Sequence, residues 1–128
     1  MVSGKEIHGI FTSADATTAA SIAIYNSGGA TSGGQSAITI ASNQILSITD
    51  VVINIAVAGA VHFFLNDDAD GTADTGETVL RATLASDGGI AKSFLGTPRS
   101  GAPGAIPYII AGAAGQIDVT FTGRLTEA

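Results

Sequence analysis

Apolar and polar residues alternate through most of this 128-residue chain, and a period of two sends successive side chains to opposite faces of a strand. The cleanest run is "QIDVTFTGRLT" (116–126), with Ile117, Val119 and Phe121 on one face and Asp118, Thr120 and Thr122 on the other. "TAASIAIYN" (18–26) sets Ile22 and Ile24 against Ala23 and Tyr25, and "SAITIAS" (36–42) alternates again. "KEIHGIF" (5–11), "AVHFFL" (60–65), "IAKSFL" (90–95) and "YIIAGA" (108–113) are further short strands. The longest apolar stretch is "ILSITDVVINIAVA" (45–58), where Val51, Ile53, Ile55 and Val57 line one face. Val52 and Ala56 between them are also apolar, which predicts burial on both sides. Asp50 interrupts this run and predicts a bulge or a break into two strands. "ETVLRATLA" (77–85) is ambiguous: Leu80, Ala82 and Leu84 fit period two, whereas Leu80, Thr83 and Leu84 fit a short helix.

Turn chemistry separates these runs. "SDGG" (86–89) is a turn, "SGGATSGGQSA" (27–37) is a loop with no side chain suited to a core, and "GTPRSGAPGAIP" (96–107) carries three Pro and three Gly. Eight or nine short strands at spacings of about 10–15 residues predict an antiparallel sandwich or barrel. The expected fold is an all-β antiparallel sandwich spanning residues 1–128 as one domain, with eight strands in two sheets as in a jelly roll. An immunoglobulin-like sandwich competes, but the Cys and Trp that mark it are absent.

Composition supports this reading. Ile, Val and Thr are plentiful, 17 residues are Gly, and aromatics make up only 5%. β-Branched residues suit a pleated, half-buried surface. The net charge of −6 and the scattered cations Lys5, Arg81, Lys92, Arg99 and Arg124 argue against a nucleic-acid partner, which needs clustered positive charge. No apolar run approaches the ~20 residues of a membrane-spanning helix, and "MVSGKEIHGIF" lacks the features of a secretory signal. The expectation is cytoplasmic synthesis with no membrane partner. The absence of Cys removes disulfides, thiolate nucleophiles and zinc–thiolate sites.

One stretch concentrates the charge. "NDDADGTADTGE" (66–77) has five acidic residues among its twelve. A twelve-residue calcium loop places oxygen ligands at positions 1, 3, 5, 7, 9 and 12, with Gly at position 6. Counting from Asn66, those ligands are Asn66, Asp68, Asp70, the Thr72 carbonyl, Asp74 and Glu77, and Gly71 falls at position 6. The stretch resembles an EF-hand calcium loop locally, although position 1 is Asn, position 8 is Ala73, and strands rather than helices flank it. A bound Ca²⁺ would be structural, tying strand 60–65 to strand 77–85. The alternative is a solvated acidic turn, since Asp, Asn and Gly are ordinary turn residues.

Catalytic constellations are hard to find. His8 and His62 sit in half-buried strands, where a hydrogen-bonded structural role is the ordinary one. Ser93, His62 and Asp118 could supply the groups of a triad, but nothing in the sequence selects them. No nucleophile elbow or phosphate loop occurs. No carboxylate pair outside the acidic stretch stands out as a glycosidase pair. With only Tyr25 and Tyr108 and no Trp, a sugar-stacking platform is thin. The loop "GTPRSGAPGAIPY" is stiffened by its prolines, and Arg99, flanked by Pro98 and Pro103, is a candidate interface anchor; a plain stiff connection is the alternative.

The order "ITIASNQILSITDVVI", a strand, "NDDADGTADTGETVL", a Pro/Gly loop and a terminal "GQIDVTFTGRLT" is similar to small jelly-roll decoration, or cement, proteins of tailed bacteriophage heads. The similarity spans about residues 36–126. It implies a homotrimer on the outer surface of the virion that binds the major capsid protein, with no catalytic residues. A calcium-stabilised module binding carbohydrate or a cell surface is the competing expectation.

Overall fold

The computed structural model describes residues 5–26, 37–68 and 77–128. Within them the regular structure is entirely β. The strands are β1 (Lys5–Ser13), β2 (Ala20–Ser21), β3 (Ala23–Asn26), β4 (Ala37–Ile38), β5 (Gln44–Ile55), β6 (Gly59–Asn66), β7 (Thr78–Leu84), β8 (Gly89–Ser93), β9 (Arg99–Ser100), β10 (Ile106–Ala111) and β11 (Ile117–Glu127). A seven-stranded sheet runs β4-β3-β1-β11-β5-β8, with β9 beside β8 along the same edge of β5, and a four-stranded sheet runs β2-β10-β6-β7. All pairings are antiparallel. The expected all-β sandwich is the observed architecture. Its strands number eleven among the described residues rather than eight or nine. The excess has two sources: β9 forms within 96–107, expected to be loop throughout, by pairing with β5, and 18–26 gives β2 in one sheet and β3 in the other. The crossing point is Ile22, 3% exposed, whose N–H donates to the Pro107 carbonyl at 2.9 Å.

The core lies between the sheets. Leu46, Ile48, Val51, Ile53, Val119 and Phe121 point inward from the larger sheet; Val61, Phe63, Leu65 and Ile109 meet them from the smaller. The rings of Phe63 and Phe121 span the interface at 5.3 Å between centroids. Phe121 lies across Gly9, its register partner on β1, so a Cβ at Gly9 would overlap the ring. Here glycine is required by close approach rather than by a turn.

Two bulges reset the alternation. On β5 the register with β11 moves from Asp50↔Thr122 to Ile48↔Gly123, leaving Thr49 unpaired. That slip lets Leu46 and Ile48 point inward and then Val51, Ile53 and Ile55 do so too. Asp50 thus marks a bulge, and β5 stays continuous. Thr49 Oγ1 donates to the Thr122 carbonyl at 3.1 Å, and the Thr49 carbonyl accepts the Phe94 N–H at 2.6 Å. The second bulge lies on β7, where Phe63↔Leu80 is followed by Phe64↔Thr78. It turns both Val79 and Leu80 toward the core. The 77–85 segment is therefore a strand, with Leu80, Ala82 and Leu84 on its core side.

One expectation fails. The 45–58 segment is buried on one face only: Val52 is 38% exposed, Asn54 and Ala56 are exposed, and Val57, past the strand end, is 46% exposed. The outer face of β5 has no covering layer among the described residues, so its apolar residues there are surface.

Both close approaches make stability predictions. A Cβ at Gly123 would strike the Ser47 carbonyl across the bulge. Gly123→Ala and Gly9→Ala should each destabilise by about 1–3 kcal/mol, the ordinary cost of overpacking, read as a lower midpoint in urea. Gly96→Ala, which would meet nothing within 4 Å, should leave the midpoint within about 0.5 kcal/mol.

Candidate functional site

The acidic stretch begins where β6 ends. Asn66 is the last residue of that strand, and Glu77 directly precedes β7. The two strand ends are laced together: Leu65 N–H donates to the Glu77 carbonyl at 2.9 Å, and Asp67 N–H donates to Glu77 Oε2 at 3.1 Å. Glu77 is 8% exposed, unusual for a carboxylate. Carboxylate oxygens of Asp67, Asp68 and Glu77 all lie within 4.8 Å of one another. A hydrogen bond with Glu77 holds the Asp67 carboxyl above the usual carboxylate range; desolvation and the charges of Glu77 and Asp68 push the same way.

The structure thus gathers Glu77 and Asp68 from the predicted ligand set, with Asn66 on the strand beside them. Asp70, Thr72 and Asp74 lie outside the described residues. Asp67 joins the group although the twelve-residue spacing passes over it, because the β6–β7 pairing brings Glu77 back to the Asp67 backbone.

The outer face of the smaller sheet carries a feature the alternation did not disclose. Phe64 is 1% exposed yet faces away from the core, since Val61, Phe63 and Leu65 take the inward positions. It packs between Tyr108, at 5.6 Å and nearly parallel, and His62, at 5.2 Å. His62 Nε2 and Thr78 Oγ1 are 2.7 Å apart. Burial, reinforced by the neighbouring Arg81 charge, lowers the His62 pKa from its ordinary value. Beside this cluster is an open groove of about 560 Å³, lined by Ala60, Ile110 and Gly112 with His62, Arg81 and Thr83.

The larger sheet exposes a different surface. The registers Ala23↔Ile10, Ile10↔Thr120, Thr120↔Val52 and Val52↔Ala91 place five residues in one row across five strands. All five are exposed, Ile10 at 46% and Val52 at 38%. The neighbouring rows are polar, with Tyr25, His8, Thr122 and Asp50 on one side and Thr12, Asp118 and Asn54 on the other. A shallow depression of about 220 Å³ lies over Ile10, Val52 and Thr120.

No family model, curated protein or solved structure matches this chain.

The triad-type residues do not converge. Ser93 pairs with Asp50 on the larger sheet, Asp118 bonds Thr12 and Gln116 there, and His62 bonds Thr78 on the smaller sheet. Of the candidate interface residues, Pro98, Arg99 and Pro103 are all exposed. Arg99 forms β9 against Ile48, with its guanidinium 5.3 Å from the centroid of the Phe94 ring.

The His62 environment predicts an acid sensitivity. Its depressed pKa means that its neutral-form contribution is fully present above the unfolded value of about 6.5 and is lost as pH falls through the folded value. Melting temperature should therefore drop as pH falls below about 6.5. His62→Gln, which does not titrate, should flatten that part of the profile; equal acid losses in parent and variant would assign the effect to other groups.

Proposed function

We propose that this chain is a structural protein that works through its surfaces, docking onto a protein shell by the outer face of the larger sheet. The observation that carries this reading is the exposed row Ala23–Ile10–Thr120–Val52–Ala91. A charged side chain is the simple way to keep such a face from associating, and this row carries no charge. An uncharged, small-to-medium apolar strip rimmed by polar residues has the build of a binding surface. The strands beneath it are paired on both sides through β1, β11 and β5, so little ordering entropy is lost on docking.

The occupant is drawn from the resemblance in strand and loop order to phage head decoration proteins: the major capsid protein on the outside of a virion, met by a homotrimer of this chain with a jelly-roll arrangement. Pro98, Arg99 and Pro103, exposed in and around β9, are the second contact in this proposal. Arg99 enters it already positioned against Phe94, which suits an anchor residue.

The test is to mix the purified protein with undecorated phage shells and image the product, with light scattering of the free protein alongside. A trimer in solution and regular external density on the shells are the expected results. Ile10→Lys combined with Val52→Lys changes exposed positions only, so the fold should persist while shell occupancy falls at least tenfold. A monomer that ignores shells and binds glycans would replace this reading with a carbohydrate-binding one.

A further inference from the structure

We propose that the groove on the outer face of the smaller sheet binds an acidic, extended segment of a partner protein, with a carboxylate on Arg81 and an apolar side chain over Ala60. Strand register builds the groove in two rows. Arg81, His62 and Ile110 are partners across β7, β6 and β10. In the next row Thr83 pairs with Ala60, and the Gly112 N–H donates to the Ala60 carbonyl at 2.8 Å. Alanine and glycine leave this second row low, so it forms a notch beside the taller groups of the first. The aromatic stack stands at the far side of His62, with Phe64 5.2 Å from the His62 ring and 5.6 Å from Tyr108. Three strands about 4.8 Å apart make a floor about 10 Å wide. An open floor of that width covers one side of an extended chain, whereas a small-molecule site ordinarily encloses most of its ligand.

Charge complementarity selects the occupant. The chain carries a net charge of −6, yet no carboxylate is among the described residues that line the groove. Arg81 is exposed and has no ion-pair partner among the described residues. Its charge is, after burial, the second cause lowering the His62 pKa, so its positive field reaches across the first row. His62 Nε2 is held by Thr78 Oγ1 at 2.7 Å, which fixes the ring as a wall. A guanidinium meets a carboxylate through two parallel N–H···O bonds. A single arginine on so acidic a chain suits an isolated carboxylate and not a polyanion, which needs clustered cations. Ile110 and Ala60 supply apolar surface for the residues that flank the carboxylate. The groove belongs to the other sheet from the shell-docking row, so either assignment stands or falls without the other.

The test titrates the isotopically labelled full chain with the capped peptide Ala-Val-Ala-Glu-Ala-Val-Ala and follows backbone amides by NMR. Shifts should concentrate at Ala60, Arg81, Thr83 and Gly112, with Kd of about 10⁻³ M for so small a contact. Exchanging the peptide's Glu for Gln should weaken binding by about fivefold or more, the loss of a charge-assisted pair. Arg81→Gln should do the same, and Arg81→Lys, which lacks the planar fork, should restore only part of the affinity. Ala60→Leu fills the notch from an exposed position and should remove the shifts. Lys92→Gln alters an exposed cation on the larger sheet and should bind as the parent does. No shifts, shifts centred elsewhere, equal affinity for the Gln peptide, or full binding by Arg81→Gln would each overturn the proposal. Glutarate matching the peptide's affinity at the same residues would replace it with a site for small carboxylates.

Discussion

The contact of Phe63 with Phe121 organises the rest of the molecule. These are the large rings that bridge the two sheets, 5.3 Å apart, in a protein with few aromatics. Phe121 can reach across only because Gly9 on the adjacent strand has no side chain in its path. Burial of the inner faces is the main favourable term in folding, and it requires every strand to keep its apolar set on that side. A one-residue slip would reverse the faces. The bulges at Thr49 and Val79 are where the chain absorbs a phase error in its own sequence and returns the following residues to the core.

How much of this was legible in the sequence depends on how many surfaces a strand serves. β11 was fully legible because one face meets the core and the other meets water. Asp50 flagged its bulge, since a charge within an apolar run seldom fits an unbroken strand. The 77–85 segment was ambiguous because Leu80, Thr83 and Leu84 also satisfy helical spacing, and the pairing with β6 that makes it a strand is not visible within the run. Val52 misled because an apolar residue on the uncovered outer face of a strand has the same appearance in sequence as one buried by a second layer. Phe64 was missed because "HFFL" contains an outward-facing aromatic cluster that no period distinguishes from an ordinary core.

The acidic stretch divides similarly. Spacing alone selected Asn66, Asp68 and Glu77, and the β6–β7 ladder holds Glu77 at the cluster while placing Asn66 on the adjoining strand end. Asp67 was passed over because a ligand-counting rule knows nothing of strand pairing. It is the return of β7 to β6 that gives Asp67 its contact with Glu77. Burial of Asn66 without hydrogen-bond partners among the described residues could not be foreseen from composition, since Asn at the start of an acidic turn is ordinarily solvated. The exposed row on the larger sheet was equally hidden, because its members come from five strands and adjoin only through register.

The position of β11 has a kinetic consequence. It lies between β1 and β5, and its pairing with β1 joins residues as far apart as Lys5 and Leu125. Closing so long a loop forfeits chain entropy before any cross-strand contact offsets it, which places such a topology among slow folders, on the scale of milliseconds to seconds. Until β11 inserts, β1 and β5 each present an open edge able to recruit another chain. The strand that completes the larger sheet therefore also governs how long the nascent protein remains vulnerable to self-association.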